Sequence, residues 1–129
     1  MNVQNDIFFR PNFTVAFKKL ISYDLEASVS VRLLKSVKVL DEQQYAVMTT
    51  RDKILKEFAK VDESGEIITN NGMATFEDRE KALGFQGKLD ELLRDEFELP
   101  LEKPVKIDKS TKISAQFLEA LEGIAEVEE

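Results

Sequence analysis

The sequence predicts a mainly α protein: a long antiparallel helical hairpin with a short N-terminal helix, a small β element and a C-terminal helix. Three observations lead there. Residues 25–61 contain neither glycine nor proline, and their apolar residues recur at intervals of three and four. A second leucine-rich run follows and extends to about Glu98. Between the two lies a short polar stretch centred on Asn71-Gly72, a pair suited to a tight two-residue turn. No repeat, low-complexity linker or composition break divides the chain, so residues 1–129 are read as a single domain.

The elements follow in order. Residues 11–22 form the first helix, with Pro11 at an opening position where its missing N–H costs nothing. Phe13, Phe17, Leu20 and Ile21 share its apolar face. Asp24 is the expected cap of the next helix, with Glu26 in its first turn, where negative charge suits the helix dipole. That helix is expected from Leu25 to about Val61, roughly 50–55 Å at 1.5 Å per residue. The β-branched residues of Val29–Val31 loosen its start. Its seam is Leu33, Val37, Leu40, Val47, Ile54 and Phe58, with polar Gln44 and Arg51 at the remaining seam positions, in the manner of a coiled coil. Leu34, Tyr45, Met48 and Leu55 widen the stripe.

Asp62-Glu63-Ser64-Gly65-Glu66 ends the long helix, with Gly65 free to adopt a left-handed conformation. Residues 67–76 are either a short hairpin or a loop. Thr75 and Asp78 resemble a capping pair for the second long helix. Its apolar side carries Leu83, Leu89, Leu92, Leu93 and Phe97. Gly84 and Gly87 weaken this helix by about 1 kcal/mol each relative to Ala, unless they mark a close helix–helix approach. Leu99, Leu101, Val105 and Ile107 alternate with polar residues and two prolines, a pattern for one or two short edge strands. Ser114 caps the last helix, Ile113 can staple onto Leu118, and Phe117, Leu118, Leu121, Ile124 and Ala125 supply its buried face. An acidic tail closes the chain.

Composition narrows the function classes. The chain has no cysteine and no histidine, which removes disulfides, thiolate metal sites, a cysteine nucleophile and the commonest general base. No run approaches the ~18 apolar residues of a membrane span, and the N-terminus lacks the apolar core of a secretory signal. A cytoplasmic protein is expected. Charge is uneven: residues 1–60 hold ten Lys/Arg and seven Asp/Glu, a net +3. Residues 61–129 hold eight and eighteen, a net −10. Nucleic acid is therefore not an expected partner, since phosphate contacts need clustered basic residues. An acidic half suits solvated surface, a basic partner, or the basic half of another copy.

The order of segments resembles that of a group of small phage-encoded helical proteins of unassigned function. The matching segments are FKKLI, VRLLKSVKVLDEQQ, ILKEFAKVDESGEI, KLDELLRDEFELPLEKPVKID and ISAQFLEALEGI, which together span most of the chain from Phe13 onward. Residues 1–12 have no counterpart, and the 67–76 segment varies in such proteins. The resemblance implies a virus-encoded protein in an infected host cell or on the virion, and carries over no site residue.

Motifs for chemistry are weak. Asp62-x-Ser64-x-Glu66 begins like a calcium loop, but Ile67 and Met73 stand where that loop needs Gly and a bidentate Glu. Asp41-Glu42 and Glu91-x-x-x-Asp95 superficially resemble the Mg²⁺ carboxylates of all-helical nucleotide pyrophosphatases, with a longer second spacing. Gly84-x-x-Gly87 is too sparse to cradle a phosphate, and no nucleophile elbow or P-loop is present. Asn12-Phe13-Thr14 matches a glycosylation sequon by chance. Arg32, Lys35 and Lys38 make a small basic patch beside acidic residues. No catalytic, cofactor or metal residue is assigned.

The expectation is a non-enzymatic structural or assembly protein that binds itself as a homo-oligomer, or binds other viral or host proteins. A helix of ~50 Å outruns the ~33 Å second helix, so a second copy would cover the excess. Phe8, Phe9, Leu33, Val37, Leu40 and Phe58 are the candidate interface residues. The aromatic N-terminus has two readings, core packing of the first helix or docking of Ile7-Phe8-Phe9 on a neighbour. The alternatives are an effector that binds a host protein through residues 61–129, and a Mg²⁺-dependent nucleotide pyrophosphatase.

Overall fold

A computed structural model describes residues 1–128. The protein is mainly α, as its hydrophobic periodicity predicts. The chain begins with strand β1 (Asn2–Gln4) and a 3-10 turn (Asn5–Phe9). Helices α1 (Phe13–Ile21) and α2 (Ala27–Phe58) follow. Next come the short strands β2 (Thr69–Asn70) and β3 (Met73–Ala74), then α3 (Arg79–Arg94) and β4 (Glu96–Glu98). The chain ends through β5 (Val105–Ile107), α4 (Ala115–Ala120) and β6 (Ala125–Val127). It divides into two compact units, one built from Met1–Gln44 with Glu96–Glu129 and the other from Tyr45–Asp95.

The first unit holds almost all of the fully buried core. Ile7, Phe8, Phe13, Ala16, Phe17, Leu20, Leu33 and Leu40 contribute from its N-terminal segment. Leu99, Leu101, Val105, Ile107, Ala120, Leu121, Ile124 and Ala125 contribute from its C-terminal segment. Phe8 stacks on Phe97 with ring centroids 5.5 Å apart, and Phe13 meets Phe17 at 5.9 Å. The aromatic N-terminus is thus core, with Phe9 left 41% exposed.

Two strand pairs tie the segments of this unit together. β1 pairs antiparallel with β4, Val3 opposite Phe97, and the Met1 amino group donates to the carbonyls of Leu99 and Leu101. β5 pairs in parallel with β6, Lys106 opposite Glu126, and the two side chains form an ion pair. Arg10 closes the turn after the aromatic segment by donating to the carbonyls of Ala120 (3.3 Å) and Glu122 (2.8 Å). Those carbonyls belong to the C-terminal end of α4, where backbone acceptors lack helical partners. Buried Asn5 accepts from Gln43 Nε2 at 2.9 Å.

Several boundaries differ from the sequence expectation. α1 starts at Phe13 rather than Pro11, because Asn12 takes a left-handed conformation (φ 66°) and serves as the cap. α2 starts at Ala27, leaving Asp24 outside it, and ends at Phe58 rather than Val61. α3 stops at Arg94 because Asp95 turns to an extended ψ of 145°, which delivers residues 96–98 to β1. Phe97 therefore lies on a strand and not on the helix. The last helix is six residues long, since Gly123 (φ 83°) turns the chain into β6. The expected cap at Ser114 is present: its Oγ accepts from the Phe117 amide at 3.2 Å.

The second unit is a helical hairpin made from the end of α2 and from α3. Its connection is a true β hairpin: β2 and β3 pair antiparallel, with Asn71 (φ 54°) and Gly72 (φ 79°) both left-handed. Positive φ at both central residues is the requirement of a type I′ turn, which Asn-Gly satisfies at little cost. Bridges Ala59–Phe76 and Val61–Ile67 extend the pairing, and Phe76 meets Phe85 at 5.8 Å. Asp62 uses its carboxylate locally, accepting from the amides of Ser64 (2.8 Å) and Glu66 (3.0 Å). That is the chemistry of a turn and leaves Gly65 at φ 82°. Asp78, and not Thr75, caps α3: it accepts from the Lys81 amide at 2.8 Å, while the Thr75 hydroxyl donates to Ile68.

Candidate interaction surface

The register of the hairpin follows from one close contact. Gly84 lies so near Phe58 that an added Cβ would stand 2.5 Å from the ring. Lys88, one turn on, pairs with Glu57 at 3.2 Å and places its ammonium 5.7 Å from the Phe58 ring centre. Ile54 shares a shallow groove with Lys88, Glu91 and Leu92. Falling numbers on α2 thus meet rising numbers on α3, the order of an antiparallel pair. Gly84 is the close-approach glycine that the sequence allowed for, whereas a Cβ at Gly87 would meet nothing within 4 Å.

What distinguishes this unit is incomplete burial. Val47 is its only fully buried hydrophobic residue among the described residues. Met48, Ile54, Leu55, Phe58, Phe76, Phe85, Leu89, Leu92 and Leu93 are all half-buried. Two helices supply one layer of contact, so each apolar stripe wider than that contact spills past it. Met48, Arg51 and Leu55 follow one another at i, i+3 and i+7 and occupy one face of α2. Ala82, Phe85, Leu89 and Leu93 do the same on α3.

The charged groups of this unit are unevenly satisfied. Arg51 Nη2 lies 3.2 Å from its neighbour Asp52, yet Arg51 Nε is shielded from solvent and has no acceptor among the described residues. Asp90 is half-buried on α3 and accepts from Gln86 Nε2 at 2.9 Å. It forms no ion pair among the described residues.

The six interface candidates from the sequence fall into two groups. Phe8, Leu33 and Leu40 are buried in the core of their own unit, so their apolar surface is already used. Phe9 is exposed, and Val37 and Phe58 are half-buried, Phe58 by its contact with Gly84. Of the residues expected to widen the stripe, Leu34 and Tyr45 point outward at 59% and 74% exposure. Leu83 is likewise outward, at 58%, because Gly84 and not Leu83 is the residue that abuts α2.

The other constellations resolve simply. Arg32, Lys35 and Lys38 are exposed, and Arg32 lies 3.7 Å from Glu102. Asp41, Glu42, Glu91 and Asp95 are exposed, and Asp95 caps the end of α3 rather than continuing its face. Among the described residues no three acidic side chains converge as metal ligands, and no helix is long and apolar enough to cross a membrane. Hydrogen bonds from the Ser110 amide and hydroxyl, both 2.8 Å, hold the Asp108 carboxyl below the ordinary aspartate value. No protein-family model, curated protein or solved structure matches the chain.

Proposed function

We propose that the protein is a non-enzymatic interaction protein that works as a homo-oligomer, its copies joined through the hairpin Tyr45–Asp95. The observation that carries this reading is the incomplete burial of that hairpin, in which Val47 is the one fully buried hydrophobic residue among those described. A second layer of helices would cover these half-buried side chains at about 25 cal/mol per Å² of apolar surface removed from water. The resemblance to small phage proteins gives the proposal its setting, a virus-encoded assembly or adaptor component.

The test is the solution mass, by light scattering after gel filtration at low and high salt. The expected result is a defined multiple of the 14.7 kDa chain that survives high salt, as apolar association does. A mass of one chain across the concentration range would refute self-association.

A further inference from the structure

We propose that the exposed side of α2 from Leu34 to Tyr45 is a second joint between copies, packed antiparallel on the same stretch of another copy. This rests on the self-association proposed above and adds a second face to it.

The face follows from the helix itself. At about 100° per residue, Leu34, Lys35, Lys38, Asp41, Glu42 and Tyr45 fall within an arc of about 120° centred on Lys38. All six are exposed. The buried seam residues Leu33, Leu40 and Val47 stand on the opposite side of the helix. Val31 extends the open arc toward the start of α2. Three large apolar side chains, Val31, Leu34 and Tyr45, are thus left in water at 51%, 59% and 74% exposure.

The fold marks both edges of this arc. On one side Asp41 borders a small cleft that it shares with Thr14 and Lys18 of α1. On the other side Arg32 lies 3.7 Å from Glu102, so the segment before β5 flanks the helix there.

Charge along the arc runs in one direction. Lys35 and Lys38 come first, and Asp41 and Glu42 follow. Within a single helix this is the weaker order, since an acid placed N-terminal to its base pairs better. Among the described residues none of the four forms an ion pair. A parallel copy in register would set like charges over like, whereas an antiparallel copy sets each base over an acid.

A two-fold axis across α2, level with the Val39–Leu40 peptide, gives the register. Lys38 then stands opposite the second copy's Asp41, and Leu34 opposite its Tyr45. The axis repeats each pair in reverse, as a two-fold contact requires. Lys35 and the second copy's Glu42 share one flank and lie within about 3 Å of level, two residues of rise. Charged pairs therefore sit at the centre of the contact with an apolar pair at each end.

The contact is small. From Val31 to Tyr45 the face is about 21 Å long and about 10 Å wide, on the order of 200 Å² before side-chain relief. A standard interface takes ~800 Å² per partner, so this joint orders an assembly that the larger hairpin surface holds together.

Charge inversion tests the pairing, read as mass by sedimentation at low salt, where surface charges are screened least. Circular dichroism checks folding. Lys38→Glu sets carboxylates against each other at both central pairs, and Asp41→Lys does the same with ammonium groups. Each should reduce the mass by about half, since a two-fold contact joins its parts in pairs. An equal mixture of the two variants restores opposite charges at both pairs and should recover the wild-type mass. The double variant Lys38→Glu/Asp41→Lys should recover it as well. Single variants of wild-type mass, or a loss that neither the mixture nor the double variant recovers, would overturn the inference and leave the hairpin joint standing. Single variants that fall to one chain would refute the hairpin joint and keep this one. A wild type of one chain would overturn both.

Discussion

Replacing Gly84 by alanine probes the contact that sets the hairpin register. The added Cβ would stand 2.5 Å from Phe58 Cε1, 3.0 Å from Cδ1 and 3.3 Å from Cζ. Carbon atoms in contact prefer about 3.5–4.0 Å, so the ring or the helix has to give by roughly 1 Å. Overpacking of this kind costs about 1–3 kcal/mol, and the better helix propensity of alanine returns about 1 kcal/mol. Gly87→Ala is the control, since its Cβ meets nothing within 4 Å and only the propensity gain remains. The two variants should therefore differ by about 1–3 kcal/mol, with Gly87→Ala the more stable. Urea unfolding followed by circular dichroism measures both, at fixed protein concentration because association would add to apparent stability. Adding Phe58→Leu should recover part of the Gly84→Ala loss. A Gly84→Ala protein as stable as Gly87→Ala would refute the close approach and the register built on it.

Adjacent leucines on α2 provide a second check: Leu33→Ala should cost about 2–5 kcal/mol, and Leu34→Ala no more than ~0.5 kcal/mol. Equal losses in thermal melts would show the helix to be turned differently. Arg10→Ala removes two hydrogen bonds to the end of α4 and should cost about 1–2 kcal/mol, with Arg10→Lys recovering little because one ammonium lacks the guanidinium's spread of donors. Full stability in denaturant titrations of both variants would count against that clamp. Asp108 contributes stability that is present above its unfolded pKa and is lost as pH falls through its lowered folded value. In Ser110→Ala, which keeps the amide bond and loses the hydroxyl, an NMR titration should show the Asp108 carboxylate moving part of the way back toward the ordinary aspartate range; an unchanged curve would reject the hydroxyl as a cause.

The features legible in the sequence are those fixed by neighbouring residues. The long helix declares itself through seam positions Leu33, Leu40 and Val47, all buried, and through the absence of glycine and proline. Asn71-Gly72 and Ser114 carry local chemistry that leaves few alternatives, and both appear as a turn and a cap. What escapes is whatever depends on distant residues. The alternation of Val105 and Ile107 marks β5, but β1, β4 and β6 are too short to show a period, and the pairs β1 with β4 and β5 with β6 emerge only from residues distant in sequence. Of β6, Ala125 reads instead as part of the last helix's buried face and Glu126 as part of an acidic tail. The outward turn of Leu34, Tyr45 and Leu83 is hidden for a similar reason, because a stripe wider than its partner does not reveal which edge is covered. Arg51 was visible as a polar seam residue, but the close approach that sets its height on the hairpin needs the Gly84–Phe58 contact.

The pairing of Asn2 with Glu98 has a consequence for biosynthesis. The opening strand leaves the ribosome long before its partner has been translated. At about 5–20 residues per second the wait is roughly 5–20 s, during which Ile7, Phe8, Phe13 and Phe17 lack the C-terminal side chains of their core. The hairpin Tyr45–Asp95 draws only on nearby residues and can close within that interval. The nascent chain thus carries an aromatic segment in need of cover, and side chains between Leu99 and Ala125, made much later, are the ones that complete it.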